Sequence, residues 1–181
     1  MYFRTTFLAT ILAATSVLGA AIPSTRITTP AIERRQQFRQ QTYDQISISG
    51  GVAGNAEAEA NAVFASLNTA NLAAASEADK DFLNSVNKIC NEAEKGAFNT
   101  AIAAASGEAA AALQRGKIKN KVLKLKATLL LLGVKQAQGE NVAADIAAET
   151  KKFNNNITQD KAQAGKTSTK LSFNASTKGG V

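Results

Sequence analysis

Between Gly116 and Gly139 the apolar positions Ile118, Val122, Leu125, Leu129 and Leu132 fall at steps of 4, 3, 4 and 3, the spacing of one helix face. Three further stripes share this period. Val52, Ala56, Ala60, Val63, Phe64 and Leu67 predict a helix over about 52–67. Phe82, Val86, Ile89 and Ala93 predict a second, which either stops at Gly96 or continues through Phe98 and Ile102 to Ala105. Val142, Ile146, Thr150, Phe153, Ile157 and Ala164 predict a fourth, ending at Gly165. The punctuation agrees with these limits. Ser76-Glu77-Ala78-Asp79 resembles a capping box, Ser49 and Asn141 are candidate N-caps, and Gly139 stands where a left-handed C-cap belongs. The expected architecture is all-α: an antiparallel bundle of about four amphipathic, alanine-rich helices over 42–165, with a disordered N-terminal leader and C-terminal tail.

The flanking stretches lack these stripes. Residues 1–21 read as a secretory signal peptide, with Arg4, an apolar run from Phe7 to Val17, and the small residues Gly19, Ala20 and Ala21. The run is too short and too rich in Thr and Ser for a membrane span, which needs about 20 apolar residues. Residues 22–35 hold both prolines and end in the dibasic pair Arg34-Arg35, so they are expected to be a disordered pro-segment with possible cleavage after Arg35. Residues 166–181 are rich in Ser, Thr and Lys and are expected to be a flexible tail.

Charge sharpens the picture. The net charge of +7 is unevenly spread: Asp44 to Glu108 holds nine acids against three lysines, and Arg115 to Val181 thirteen bases against four acids. Opposite halves of this kind can satisfy one another inside a bundle. The densest basic stretch is the third helix, where Lys117, Lys121 and Lys124 flank the apolar stripe on one side and Arg115, Lys119 and Lys126 on the other. These six are the candidate contact surface. A basic amphipathic helix can meet an anionic membrane or an acidic polymer, or its lysines can lay their stems over the core edge and keep their charge wet. Nucleic acid is the least favoured partner, because no aromatic residue lies among the lysines to stack on bases.

Catalytic constellations are scarce. The chain has no histidine, which removes Ser-His and Cys-His arrangements and histidine metal sites. Cys90 is the only cysteine and reads as a small buried hydrophobe. Glu57/Glu59 and Glu92/Glu94 are two residues apart, about 200° around a helix, so their carboxylates diverge and are expected to be solvated. No catalytic, metal or cofactor residue is assigned. Asn156-Ile157-Thr158 and Asn174-Ala175-Ser176 are N-glycosylation triplets.

The stretches TYDQISISGGVAGNAEAEANAVF and GKIKNKVLKLKATLLLLGVKQAQG, followed by a charged helix and an LSF tail, resemble a family of fungal small secreted proteins. Val52-Ala53-Gly54-Asn55-Ala56 and Gly116 to Leu125 are the specific part. The resemblance implies an extracellular protein of effector-candidate or cell-surface type, with no catalytic residues to carry over. The expected function is therefore non-enzymatic binding at a cell wall, a host surface or another interface. The partner would be a protein, a cell-wall polymer or an anionic surface. The alternatives are a membrane- or lipid-active protein using the basic helix, and a coat for hydrophobic surfaces.

Overall fold

The computed structural model describes residues 38–179; the expected leader, the pro-segment and Arg34-Arg35 lie outside them. The described chain forms six α-helices, α1 (Tyr43–Ile46), α2 (Ala56–Val63), α3 (Glu77–Ala93), α4 (Asn99–Ala104), α5 (Gly107–Ala137) and α6 (Ala143–Lys161). In it, isolated β-bridges pair Thr42 with Ser176 and Val52 with Thr167. It is an all-α bundle, as the periodicity predicts.

The axis of the bundle is α5, whose 31 residues span roughly 46 Å at 1.5 Å per residue. Helices α3 and α6 pack along it, and α2 and α4 cover further parts of its circumference. Its predicted apolar stripe, of which Leu129 and Leu132 are only part-buried, is a minor share of what it buries. Ile118, Val122 and Leu125 are buried as expected, and so are Leu123, Ala127, Leu130 and Val134 on other sides. A helix packed all round is an internal strut rather than a surface helix.

The core joins α5 to α3 through Phe82, Leu83, Val86, Ile89 and Cys90, and to α6 through Phe153 and Ile157. Phe38 enters it from the N-terminal side, stacked on Phe82 at 4.2 Å and edge-on to Phe64 at 6.2 Å. Cys90 is fully buried, and burial pushes its thiol up to about 12, against a smaller pull from Lys124.

Local chemistry explains most helix limits. Ser76 and Asp79 form the reciprocal capping box: the Asp79 amide donates to Ser76 Oγ at 3.1 Å, and the Ser76 amide donates to Asp79 Oδ2 at 2.9 Å. At Gly96 the rod neither stops nor continues regularly. Residues Glu94–Phe98 make a π-helical turn that carries α3 directly into α4. Gly139, with φ +99°, closes α5 in a Schellman motif, the Glu140 amide donating to Lys135 O and the Gly139 amide to Gln136 O, both at 3.0 Å.

Several expectations are corrected. The first helix is shorter than 52–67, because Gly54 at φ +111° is non-helical and α2 starts only at Ala56. Its cap comes from a distant residue: the Ala56 amide donates to Asp160 Oδ2 on α6 at 2.9 Å. Phe64 and Leu67 remain buried from the turn that follows. Ser49 caps nothing; Thr42 and Gln45 instead form a capping box around the one-turn α1. At the start of α6 the N-cap position falls to Val142 rather than Asn141.

The largest correction concerns the expected flexible tail. Residues 166–179 lie along the body and pair their backbone with it. The Ser168 amide donates to Gly51 O at 2.8 Å, Thr169 to Ala112 O at 3.0 Å, and Thr177 to Gln41 O at 2.8 Å; in return Ala175 O accepts from the Tyr43 amide at 2.8 Å. Thr177 is almost fully buried, its hydroxyl accepting from the Gln41 amide at 2.8 Å. Pairing of this kind uses backbone groups, so a Ser/Thr-rich composition neither supplies nor forbids it.

Candidate functional site

The six basic residues of α5 do not form one exposed face. Arg115 and Lys119 point inward, 4% and 0% exposed. Arg115 Nε donates to Thr167 O at 2.6 Å, and its guanidinium pairs with Glu108. Lys119 Nζ donates to Gly50 O at 2.6 Å and Val52 O at 3.0 Å, and lies 2.8 Å from Glu59 Oε2. Each cation reaches a segment more than 50 residues away in sequence. Arg115 holds the returning 166–169 segment, and Lys119 holds both the 50–52 loop and α2.

Gly116 sits between these two cations on α5. A Cβ there would overlap the Thr169 carbonyl oxygen and stand 3.2 Å from both Ser49 O and the Phe98 ring. The absent side chain lets two backbone segments rest directly on the helix. One turn on, Asn120 accepts from the Tyr43 hydroxyl at 2.9 Å and donates to Cys90 O at 2.8 Å. Burial pushes the Tyr43 phenol up to about 12. Arg115, Gly116, Lys119 and Asn120 together form an internal clasp that joins the loops, α1, α2 and α3 to the strut.

The other four lysines are part-buried. Lys117 Nζ donates to Asn99 Oδ1 at 3.1 Å. Lys121 and Lys124 share one carboxylate, lying 3.6 Å and 3.0 Å from Glu94 Oε1 and Oε2 at the start of the π turn. Partial burial raises the Glu94 carboxyl, but the Lys124 hydrogen bond and the charges of Lys124, Lys121 and Lys117 outweigh it and hold it below its usual range. Lys126 stands apart, beside Phe64 and Leu130. The expected solvated acids are thus in part engaged: Glu59 and Glu94 pair with α5, and Glu57 lies 4.0 Å from Lys161 of α6. The two halves of opposite charge do meet within the bundle.

Lys121, Lys124 and Leu125 of α5 also line a cleft of about 280 Å³, with Lys152, Asn155 and Asn156 of α6 opposite. Lys152 pairs with Glu149 at 2.7 Å. Three lysines and the exposed Asn155 therefore line the cleft, two of the lysines paired with Glu94 and the third with Glu149. A second groove of about 330 Å³ on the α5–α6 pair, lined by Ala111, Gln114, Ile118 and Gln159 among others, is mainly apolar. Lys152 and Asn155 of α6 carry only a weak sequence signal, a charge and an amide away from the Phe153–Ile157 stripe.

The two glycosylation triplets differ sharply. Asn156 is 5% exposed, whereas Asn174 is open to solvent. Among the described residues no cluster of His, Cys, Asp and Glu could hold a metal ion, and no helix is long and apolar enough to cross a membrane.

Residues 38–172 match the family described as Domain of unknown function (DUF8454), from the Phe38 anchor through the clasp to the returning segment. No curated protein and no solved structure matches the chain. The match covers most of the chain, which belongs to this family.

Proposed function

We propose that this DUF8454 member is an exported, non-enzymatic protein that binds an anionic polymer, of cell-wall type, through the cleft between α5 and α6. The supporting observation is the partition of charge on α5: two cations are spent internally, while Lys121 and Lys124 join Lys152 in one open cleft. Two ammonium groups share the single Glu94 carboxylate, so the cleft keeps positive charge to offer a ligand. The exposed Asn155 amide on the opposite wall supplies donors and an acceptor for hydroxyl groups. Such contacts are screened over about 8 Å at physiological ionic strength, so binding should weaken steeply with salt.

Affinity electrophoresis of the secreted chain through gels containing polygalacturonate or a neutral glucan tests this. The reading expects retardation by the acidic polymer at low salt and its loss in the Lys121→Gln/Lys124→Gln/Lys152→Gln variant. Equal mobility in both gels at low salt refutes it. The membrane-active alternative is less favoured, because releasing α5 would break the Arg115 and Lys119 contacts and expose core on several sides. A coat for hydrophobic surfaces gains little support either. Val52, at 45%, is the one large apolar side chain well exposed among the described residues.

A further inference from the structure

We infer that Asn174, on the segment returning along the bundle, is the site of an N-linked oligosaccharide, and that Asn156 in the folded protein is not. The inference rests on the export proposed above. Both residues head valid Asn-x-Ser/Thr triplets, and Asn156 has the threonine form, so the triplets alone do not separate them.

The modification sets the geometric requirement. In the secretory pathway an oligosaccharide is transferred from a polyprenyl-diphosphate carrier to the asparagine amide. The bond from the anomeric carbon to the carrier's phosphate oxygen breaks, and a bond from that carbon to Nδ2 forms. The amide gives up one proton to a base of the transferase, and the polyprenyl diphosphate leaves. The folded product must then carry a bulky, hydrated chain on Nδ2, which calls for open solvent at that atom.

Asn156 does not offer it. Its Nδ2 donates to Lys152 O at 2.8 Å, and the residue lies next to Ile157 on the face of α6 that packs on α5. It also forms part of the cleft wall, so a sugar there would fill the cleft and hold α6 away from α5. A chain glycosylated at Asn156 before folding could not close this packing.

Asn174 offers the opposite setting. The segment around it alternates like a strand: Phe173 and Ala175 are part-buried, Thr177 is buried, and Asn174 and Ser176 are exposed. Its neighbours are fixed, Phe173 by an edge-on contact with the Tyr43 ring at 5.8 Å, and Ala175 by the Tyr43 amide. The acceptor thus points outward from a segment whose packing does not use its side chain.

The test is to secrete the full chain from a eukaryotic host behind a leader supplied by the expression vector. Failure of the chain's own export is thereby kept separate from failure of this inference. Peptide mapping after amidase release, which leaves aspartate where a glycan stood, should mark position 174. Asn174→Gln and Ser176→Ala should each abolish the glycan, while Asn156→Gln and Thr158→Ala should leave it. Circular dichroism should show Asn174→Gln folded as the unmodified chain. An unmodified Asn174 in the secreted protein, or a glycan on Asn156 in folded material, overturns the inference.

Discussion

Gly116→Ala is expected to destabilise the protein, although alanine is the better helix former. Replacing a mid-helix glycine by alanine ordinarily gains about 1 kcal/mol. Here the new methyl would overlap the Thr169 carbonyl oxygen and press on Ser49 O and the Phe98 ring, each 3.2 Å away. Two of these three neighbours are backbone in segments already pinned by Arg115 and Lys119, and the third is a fully buried ring, so none can yield as a flexible exposed side chain would. Overpacking of this kind costs about 1–3 kcal/mol, and more when backbone must move. The net expectation is a loss of up to about 2 kcal/mol, or roughly 4 °C in Tm per kcal/mol for a domain of this size. Gly133 on the same helix is the control. A Cβ there meets only the end of the Leu72 side chain, at 3.1 Å, and Leu72 is part-exposed in a 3₁₀ turn. Gly133→Ala should be neutral or gain up to about 1 kcal/mol. Urea unfolding followed by circular dichroism measures both. If Gly116→Ala stabilises as much as Gly133→Ala, the close approach of the two segments to α5 is not real.

Three further outcomes follow from the same structure. Lys119→Met leaves Gly50 O and Val52 O without their donor and Glu59 without its cation. Because Glu59 is partly solvated, the loss should be about 2–3 kcal/mol by urea unfolding; a change below about 0.5 kcal/mol would contradict the clasp. Cys90 should resist a thiol reagent at pH 8 until the chain is unfolded. Its thiol is held at about 12 in the fold against about 8.5 unfolded, so the folded state keeps the proton that the unfolded state loses. The Cys90 contribution to stability should therefore be constant below about pH 8.5 and fall above it by up to about 1.4 kcal/mol per pH unit, a slope that Cys90→Ala removes. Tyr43, pushed up to about 12 from about 10, should add to the decline above about pH 10. Amide hydrogen exchange should show Thr169 and Thr177 protected well beyond a free tail, since both donate to the body; free-peptide rates at these amides would return 166–179 to a flexible tail.

The helices were legible in the sequence because their signals are local. The Ser76–Asp79 box, the Phe82–Ala93 stripe, the Gly139 stop and the burial of Cys90 depend on residues within a few turns of one another. Long-range backbone contacts leave no such mark. Arg115 and Lys119 look like shoulder residues of an amphipathic helix, and their acceptors are carbonyls of Gly50, Val52 and Thr167, 52 to 69 residues away. A pattern of side chains does not record which carbonyls lack a donor. Residues 166–179 were missed for the same reason, their docking being carried by amides and by Thr177. The candidate site was therefore legible as a basic helix, while its division into an inner clasp and an outer cleft was not.

That division is tested most directly by mass-spectrometric footprinting of the native full chain with an amine-reactive reagent. Rates at individual lysines are compared with those of the exposed Lys151 and Lys161. Lys119 should react only as the chain unfolds, while Lys121 and Lys152 react from the folded state and become protected when polygalacturonate is added at low salt. Labelling of Lys119 at the rate of Lys151 would contradict the account, because α5 would then be a basic surface helix and not the strut of the bundle.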